Sequence, residues 1–232
     1  MAGPRGLDRV ERPRLYEQVV ERLLDHVIEQ RLEPGDRLPP ERDLAERLGV
    51  SRATVAQALV ALEVLGVIDV QHGNGAVLLY RPSSAAVLRG VREHTDRLPD
   101  IADARSAVEP KLAELAAARR TPEDLAAIDA ALDEMARDIA DGGRGLRGDE
   151  QFHEAVTAAA RSSVLARMMA EISGLVRETR LESLSQQGRP ERSLESHRAI
   201  ARAVREQRPE EAARAMLEHI RLVSDVAALK PL

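Results

Sequence analysis

The chain has 232 residues, of which 44% are hydrophobic and 31% charged, the balance of a globular protein long enough for two modest domains. The absence of cysteine excludes disulfides, thiolate zinc sites and cysteine nucleophiles, and no apolar run approaches the ~20 residues that span a bilayer. The net charge of −5 does not form a basic arm, so any DNA binding must depend on local arrangement. Because the first residues lack the apolar stretch of a signal peptide, we expect a cytoplasmic protein without membrane partners.

The first third of the chain predicts three helices followed by a β-hairpin. Apolar residues at helical spacing predict helices over residues 14–31, 40–48 and 52–65, the second beginning at a pair of prolines and the last two ending at glycines. Two β-rich runs, 67–71 and 76–79, are separated by a His-Gly-Asn-Gly sequence, which is a strong hairpin signal. With aromatics at 1%, the core must consist of Leu, Val, Ile and Ala, which favours packed helices.

The remainder of the chain shows helical periodicity alone. Proline and glycine interrupt it at five places: Pro99, 121–122, 142–143, 187–190 and 208–209. The pattern predicts an all-α bundle of six or seven helices. We therefore expect a mainly α protein with a domain of three helices and a hairpin over 10–80, a linker over 81–85 and a helical domain over 86–229.

The second and third predicted helices have the pattern of a helix-turn-helix unit. Ala45 and Gly49 are small residues at the place where two helices must cross closely at a tight turn. The third helix would enter the major groove of DNA by its N-terminal end, which places Ser51, Arg52 and Thr54 against the DNA. Spaced arginines are also typical of a solvated helix face, and a serine N-cap is needed with or without DNA, so spacing alone leaves a purely structural role open.

A contiguous motif identifies the class of this unit. Residues 35–45 (Gly-Asp-Arg-Leu-Pro-Pro-Glu-Arg-Asp-Leu-Ala), followed by Leu-Gly-Val-Ser-Arg at 48–52, resemble the winged helix-turn-helix signature of the GntR family of bacterial transcription regulators. The resemblance covers residues 14–79. It implies that Arg42, Ser51, Arg52 and Thr54 contact DNA, together with His72 and Gly73 at the wing tip. The chain departs from the family at Ala56 and Gln57, where arginine and glutamate are usual, so we expect a different or weaker half-site.

Three of the six histidines lie in predicted helices among apolar residues: His153, His197 and His219. Asp149 stands four residues before His153, so both side chains project from one helix face about 6 Å apart. Three imidazoles and a carboxylate form a donor set suited to zinc, nickel or a similar divalent ion. A helical histidine is more often a core or surface residue than a ligand, so spacing alone leaves the site open.

Four short motifs indicate the class of the helical half: Ala-Arg-Ser-Ala-Val-Glu-Pro at 104–110, Asp-Glu-Gln-Phe-His at 149–153, Ser-His-Arg-Ala-Ile at 196–200 and Met-Leu-Glu-His-Ile at 216–220. They resemble the FCD ligand-binding domain of the FadR subfamily of these regulators, over about residues 100–225. The resemblance implies a divalent metal, zinc foremost, held by the one aspartate and three histidines named above, under a pocket for a small organic acid. Arg105 matches an arginine of that pocket, although a surface ion pair with Glu109 is an equally open interpretation.

Together these features predict a ligand-responsive transcription regulator. A homodimer would bind an inverted repeat in double-stranded DNA, and an organic acid effector would change operator affinity by moving the bundle helices. In the resembling family, repression relieved by the effector is the commoner arrangement. Two alternatives stay open: a metal that is structural or is itself the signal, and a metal-dependent enzyme with an accessory DNA-binding domain. The enzyme is disfavoured because no nucleophile motif accompanies the histidines, and Glu150 is turned about 100° away from Asp149.

Overall fold

The computed structural model describes residues 14–71, 75–80 and 84–224. Its first part contains three helices and a two-stranded sheet: α1 (Leu15–Glu29), α2 (Glu41–Leu48), α3 (Arg52–Val64), β1 (Ile68–Gln71) and β2 (Gly75–Leu78). The predicted order of three helices and a hairpin is confirmed. The bounds of these elements differ from the predicted ones by at most two residues.

The turn between α2 and α3 sets the angle of the helix-turn-helix. Gly49 ends α2 in the left-handed region, at φ 65°, where glycine is tolerated without strain. Ser51 is the N-cap of α3, and its Oγ accepts the backbone N–H of Thr54 at 3.1 Å. α3 then packs across α1 through buried residues that include Val55 and Leu59. This packing leaves the first turn of α3 exposed.

The hairpin is joined to the loop between α1 and α2. β1 and β2 are antiparallel, with Ile68 opposite Leu78. Arg37 makes an isolated β-bridge to Val77, and backbone hydrogen bonds from residues 35 and 38 reach the same strand. The wing is therefore fixed to the helices by a third backbone segment.

One long helix belongs to both hydrophobic cores. α4 (Ser84–Arg119) has 36 residues. Near its start, Val87 and Val91 lie in the core formed by α1–α3 and the hairpin. Near its end, Leu112 and Ala116 lie in the core of the helical bundle. The first turns of α4 thus complete the core of the N-terminal half.

The predicted break at Pro99 is wrong, since α4 continues through both Pro99 and Pro110. A proline inside a helix costs about 3 kcal/mol through a lost hydrogen bond and a ring clash. Leu98 and Ile101 flank Pro99 and are only 1% and 4% exposed. Burying such side chains contributes about 1.5–3 kcal/mol each, which is enough to offset the proline.

Six more helices complete the bundle: α5 (Pro122–Ala140), α6 (Leu146–Ala159), α7 (Ser163–Glu171), α8 (Ser173–Leu184), α9 (Arg189–Arg205) and α10 (Pro209–Ser224). With α4 they make seven helices within the described residues, in agreement with the predicted bundle. α10 packs along α4 and α9, and α6 packs along α5. Their shared core includes Ile128, Met135, Phe152 and Ile220. Within the described residues, the helices are too short or too polar to cross a membrane.

Candidate functional site

The first turn of α3 is the surface predicted to read DNA. Ser51 and Arg52 are exposed there, and Thr54 is half-buried. The hydroxyl oxygens of Ser51 and Thr54 lie 2.8 Å apart, so the cap holds both side chains. The guanidinium of Arg52 is left exposed at the end of a helix, where a side chain of its length can reach a base edge or a phosphate.

Of the other predicted DNA contacts, the structure describes Arg42, which lies on α2. The side chain of Arg42 is 82% exposed, with Nε 3.4 Å from the carboxylate of the next residue. An exposed pair of this kind contributes little, so Arg42 can exchange it for a phosphate. His72 and Gly73 lie outside the described residues. Ala56 and Gln57 are half-buried in the second turn of α3.

The four predicted metal ligands meet at one point in the bundle. Asp149 and His153 lie one turn apart on α6, His197 lies on α9 and His219 on α10. One ligand atom from each residue lies within 4.8 Å of all the others. All four side chains are buried, with exposures between 0% and 6%. Polar groups buried together in this way must be hydrogen-bonded or bind an ion. We call these four residues the Asp-His cluster.

Hydrogen bonds assign the proton positions on one side of the Asp-His cluster. Ser196 donates its hydroxyl hydrogen to the carbonyl of Ser193 at 2.8 Å, so its Oγ accepts the Nδ1–H of His219 at 2.7 Å. Nε2 of His219 is therefore an acceptor, and it faces Nε2 of His197 at 3.2 Å. Oδ1 of Asp149 lies 3.5 Å from the same nitrogen of His197. The lone pair on Nε2 of His219 and the carboxylate of Asp149 thus both point towards Nε2 of His197. The ligands of a cation converge in the same way.

Glu109 of α4 contacts the Asp-His cluster through His153. Its Oε2 lies 2.6 Å from Nδ1 of His153, and its Oε1 accepts from Nε of Arg105 at 2.6 Å. A carboxylate at Nδ1 holds the proton there and leaves Nε2 of His153 as an acceptor. Within the described residues, that buried Nε2 has no hydrogen-bond partner. An acceptor of this kind requires a proton donor or a cation.

Two further side chains hold the remaining ligands. Nε of Arg180, on α8, lies 2.9 Å from Oδ2 of Asp149. The ring of Phe152 stacks on His197 with 4.3 Å between centroids and 22° between planes. Each candidate ligand is therefore oriented by a neighbour outside the Asp-His cluster. Such neighbours fix the direction of metal ligands in proteins generally.

Sequence reasoning missed the roles of three of these neighbours. Glu109 was recognised only as an ion-pair partner of Arg105, because the two stand four residues apart on one helix. Ser196 stands next to a predicted ligand in the sequence but gave no signal of its own. Arg180 has no spacing relation to α6, so only the packing of α8 brings it to Asp149.

The charge states of Glu109 and Asp149 are set by neighbouring charged groups. Burial raises the pKa of Glu109, but Arg105 and His153 outweigh this effect and hold the pKa well below its usual value. Burial likewise raises the pKa of Asp149, and Arg180 is the main group that outweighs it, so this pKa is also lowered. Both carboxylates are therefore ionised at neutral pH.

Two of the buried imidazoles, those of His197 and His219, are neutral. Burial lowers the pKa of His197 to about 3, despite the opposing charge of Asp149. Burial also lowers the pKa of His219 well below its usual value. Neutral imidazoles and an ionised carboxylate are the protonation states that a metal ion requires of its ligands.

Arg105 lies in the interior beside a small cavity. It is 2% exposed and makes the predicted ion pair with Glu109, which is buried rather than on the surface. Its Nη2 has no hydrogen-bond partner within the described residues. The cavity measures about 10 Å³, room for roughly one water molecule. Its lining residues are Leu98, Ala102, Arg105, Thr179, Glu182, Val223 and Ser224.

A wider groove lies between α9 and α10, on the other side of His219. It measures about 300 Å³ and opens to solvent. Its lining residues are Arg192, Glu195, Ser196, Ala199, Ala215, Glu218, His219 and Leu222. The groove thus reaches the hydrogen bond between Ser196 and His219 from outside.

Comparison with known proteins finds matches for both halves. The family described as "Bacterial regulatory proteins, gntR family" matches residues 15–78, and the FCD domain matches residues 100–222. The HTH-type transcriptional regulator LutR of Bacillus subtilis is 35% identical over 207 residues, which cover 84% of this chain and 93% of LutR. The Uxu operon transcriptional regulator of Escherichia coli is 34% identical over 168 residues, which cover 67% of this chain and 62% of that protein. Among solved structures, Streptococcus agalactiae GntR is 29% identical with a TM-score of 0.49, and the match covers 90% of this chain and 99% of that one.

Proposed function

Since the chain belongs to the GntR family of DNA-binding transcriptional regulators and carries an FCD effector-binding domain, we propose that it is a repressor of the FadR subfamily. It binds its operator in the cytoplasm as a homodimer. A small organic acid, bound beside a divalent metal, controls the operator affinity. The observation that carries this proposal is the buried Asp-His cluster with the unpartnered Nη2 of Arg105 near it.

The residues of the Asp-His cluster fit a divalent ion, with zinc the first candidate. Three imidazoles and one carboxylate are a donor set that zinc binds in proteins. Glu109, Ser196 and Arg180 already orient three of the four donors. When bound, such an ion supplies positive charge and Lewis acidity to an anionic ligand.

Charge balance favours an anionic effector. Arg105 and Arg180 offset Glu109 and Asp149, so a divalent cation would add two positive charges to the interior. Glu182 also lines the cavity, and one carboxyl group can offset at most one of these two charges. The remaining positive charge is costly in a buried site unless an anion offsets it, and Nη2 of Arg105 can donate to a carboxylate.

The cavity beside Arg105 is a better acid site than the groove between α9 and α10. The charged rim of the groove holds Glu195 and Glu218 against Arg192, which disfavours an anion. The cavity at Arg105 is too small for an organic acid as the side chains stand. Binding must therefore separate α4, α8 and α10, which line it, and this is the conformational change that a regulator needs.

The structure also favours a second candidate, in which the metal is structural or is itself the signal. All four side chains of the Asp-His cluster are buried, and the cavity at Arg105 holds only about one water molecule. In that case zinc alone would change the stability or the operator affinity, and organic acids would have no effect.

The DNA-binding part of the proposal is tested by selecting fragments from a random DNA pool at about 150 mM salt, where non-specific phosphate binding is weak. We expect the protein to enrich an inverted repeat with half-sites about one helical turn apart. Arg52→Ala should lose the enrichment. The matched control is Arg137→Ala, which removes another exposed arginine, on α5 in the bundle. Folded protein that enriches no sequence, or equal enrichment by both variants, would contradict the proposal.

The selected operator then serves to test the metal and the acid. Operator affinity is measured for EDTA-treated protein, for protein with one equivalent of zinc, and for zinc-loaded protein with acetate, succinate or citrate. Weaker operator binding with an acid only when zinc is present supports the acid-responsive repressor. A change with zinc that no acid then alters supports the second candidate. Arg105→Lys should abolish the acid response and leave zinc binding intact, because it keeps the charge but loses the planar donor pair.

A further inference from the structure

An ion pair joins the recognition helix α3 to the loop that precedes α6, the helix that carries Asp149 and His153. Nη1 of Arg144 lies 2.8 Å from Oε2 of Glu63, and the two side chains are 25% and 15% exposed. Glu63 stands in the last turn of α3, and Arg144 stands two residues before α6 begins. The pair therefore links residues 81 positions apart, one in each half of the molecule. We call it the interdomain pair.

Arg144 stands in a short loop that is held against α5 and leads into α6. The backbone N–H of Gly145 donates to Oδ2 of Asp138 at 2.6 Å, which fastens the loop to α5. A Cβ atom at Gly143 would collide with the same carboxylate, and one at Gly148 would collide with the backbone of Met135. The loop and the first turn of α6 thus lie against α5 without space between them. A shift of α5 together with the first turn of α6, where Asp149 lies, must therefore move Arg144 as well.

Glu63 is attached rigidly to the DNA-reading end of α3. The helix runs without interruption from Arg52 to Val64, a length of roughly 18 Å. Val55, Leu59 and Leu62 anchor it in the core of the N-terminal half. A displacement at Glu63 is therefore transmitted along the helix to Arg52.

A second contact connects the same two places. α8 packs against α3, and its Arg180 pairs with Asp149 of the Asp-His cluster. The C-terminal end of α3 is thus in contact with the bundle, while its N-terminal turn is exposed. This geometry makes the end of α3 sensitive to the positions of α6 and α8.

We propose that Arg144 and Glu63 are positioning residues, through which α6 sets the orientation of the recognition helix. The inference rests on the proposed function and names the contact that carries its signal. A half-buried ion pair is strong at 2.8 Å and weak once its partners separate by a few ångströms, because solvent then screens the charges. Movements of 1–2 Å are typical of helix shifts in regulatory proteins, so the pair can be made or broken by such a movement.

The contact is tested by distance measurements between spin labels, which the absence of cysteine makes simple. Ala53 on α3 and Ala130 on α5 are exposed and can each be replaced by cysteine. Labelled protein is diluted into unlabelled protein, so that distances between protomers are suppressed. We expect one narrow distance in the parent protein and a broadened or shifted distribution in Arg144→Ala and in Glu63→Gln.

Two variants make this test specific. The exchange Glu63→Arg with Arg144→Glu should restore the narrow distance, because it rebuilds the pair with the charges reversed. Arg161→Ala is the matched control, since it removes a 2.8 Å pair with Asp124 that lies wholly within the bundle. Identical distributions in all variants would overturn the proposed contact.

The signalling role is tested separately with the selected operator. The operator Kd of zinc-loaded protein is divided by that of EDTA-treated protein. We expect a ratio that differs from one by about fivefold or more in the parent protein. The ratio should fall close to one in Arg144→Ala, with the zinc content unchanged. A ratio of one in the parent protein, or the same ratio in both proteins, would overturn the signalling role.

The two measurements also separate this inference from the proposed function. Protein that binds no zinc or selects no operator contradicts the proposed function, while the spin-label distances still decide whether the interdomain pair orients α3. Unchanged distances together with normal zinc and operator binding contradict the interdomain pair alone.

Discussion

Glu109 is the residue whose removal tests the candidate metal centre most directly. It contacts Arg105 and His153 at 2.6 Å each, so its charge holds the Nδ1 proton of His153 in place. We expect Glu109→Gln to weaken zinc binding by about tenfold, as is typical when an outer carboxylate is lost. Competition with a chromophoric chelator measures this affinity.

The control for this prediction lies five residues further along the same helix. Glu114→Gln removes an exposed pair with Lys111 and should leave the zinc affinity unchanged. Equal affinities in the two glutamine variants would mean that Glu109 does not orient His153.

His197 ties the stability of the metal-free protein to pH. Its pKa of about 3 lies below the ordinary value near 6.5, so between these values the unfolded chain binds one more proton than the folded protein. The neutral ring of His197 makes its full contribution to the free energy of unfolding above the ordinary pKa. This contribution is lost as the pH falls towards the pKa of the folded protein. At pH 5 the loss amounts to about 2 kcal/mol.

Urea denaturation of EDTA-treated protein at pH 7 and pH 5 measures this loss. The lowered pKa of His219 acts in the same direction. The lowered pKa values of Glu109 and Asp149 act only at lower pH, where carboxyl groups protonate. His197→Gln should show a smaller loss, and an unchanged midpoint in the parent protein would contradict the assignment.

At the scale of elements, the N-cap of α3 separates stability from DNA contact. Ser51→Ala removes the acceptor for the N–H of Thr54, and we expect it to destabilise the protein by about 1 kcal/mol. Ser51→Asn should keep the stability, because asparagine caps equally well. Arg52→Ala should leave it within about 0.5 kcal/mol, since the side chain is exposed. Thermal melts check all three, and equal losses in the alanine variants would contradict this division.

Elements with local signals could be predicted from the sequence. Gly49 and Ser51 determine where α2 ends and α3 begins, and neither depends on distant residues. Pro99 also gave a local signal, but the burial of Leu98 and Ile101 overrides it. A prediction from local residues alone cannot weigh that burial, because it depends on what packs against α4.

In the candidate site, too, local spacing predicts some features and the packing of distant helices determines others. Asp149 and His153 could be paired from their spacing on one helix, whereas grouping them with the histidines of α9 and α10 needed the family resemblance. The contact of Arg180 and the small volume beside Arg105 depend on how α4, α8 and α10 pack. These features could not be predicted from residue spacing.

For the whole molecule, chelation should lower the melting temperature. An ion that binds only the folded protein stabilises it by about 2.7 kcal/mol when its free concentration is 100 times Kd. We therefore expect EDTA to lower the melting temperature of the zinc-loaded protein by several degrees. His197→Ala should melt at the same temperature with and without EDTA, because it lacks a ligand. A melting temperature of the parent protein that EDTA does not change would contradict a metal in the bundle.

The long helix α4 has a consequence for how the molecule unfolds. Val87 and Val91 fill the core of the DNA-binding half, while Leu112 and Ala116 fill that of the bundle. A fragment that ends at residue 80 would expose the apolar surface that Val87 and Val91 cover, so it should aggregate or melt early. Melting either half would likewise remove part of the other half's support. The protein should therefore unfold in one cooperative transition, although its two halves resemble separate families.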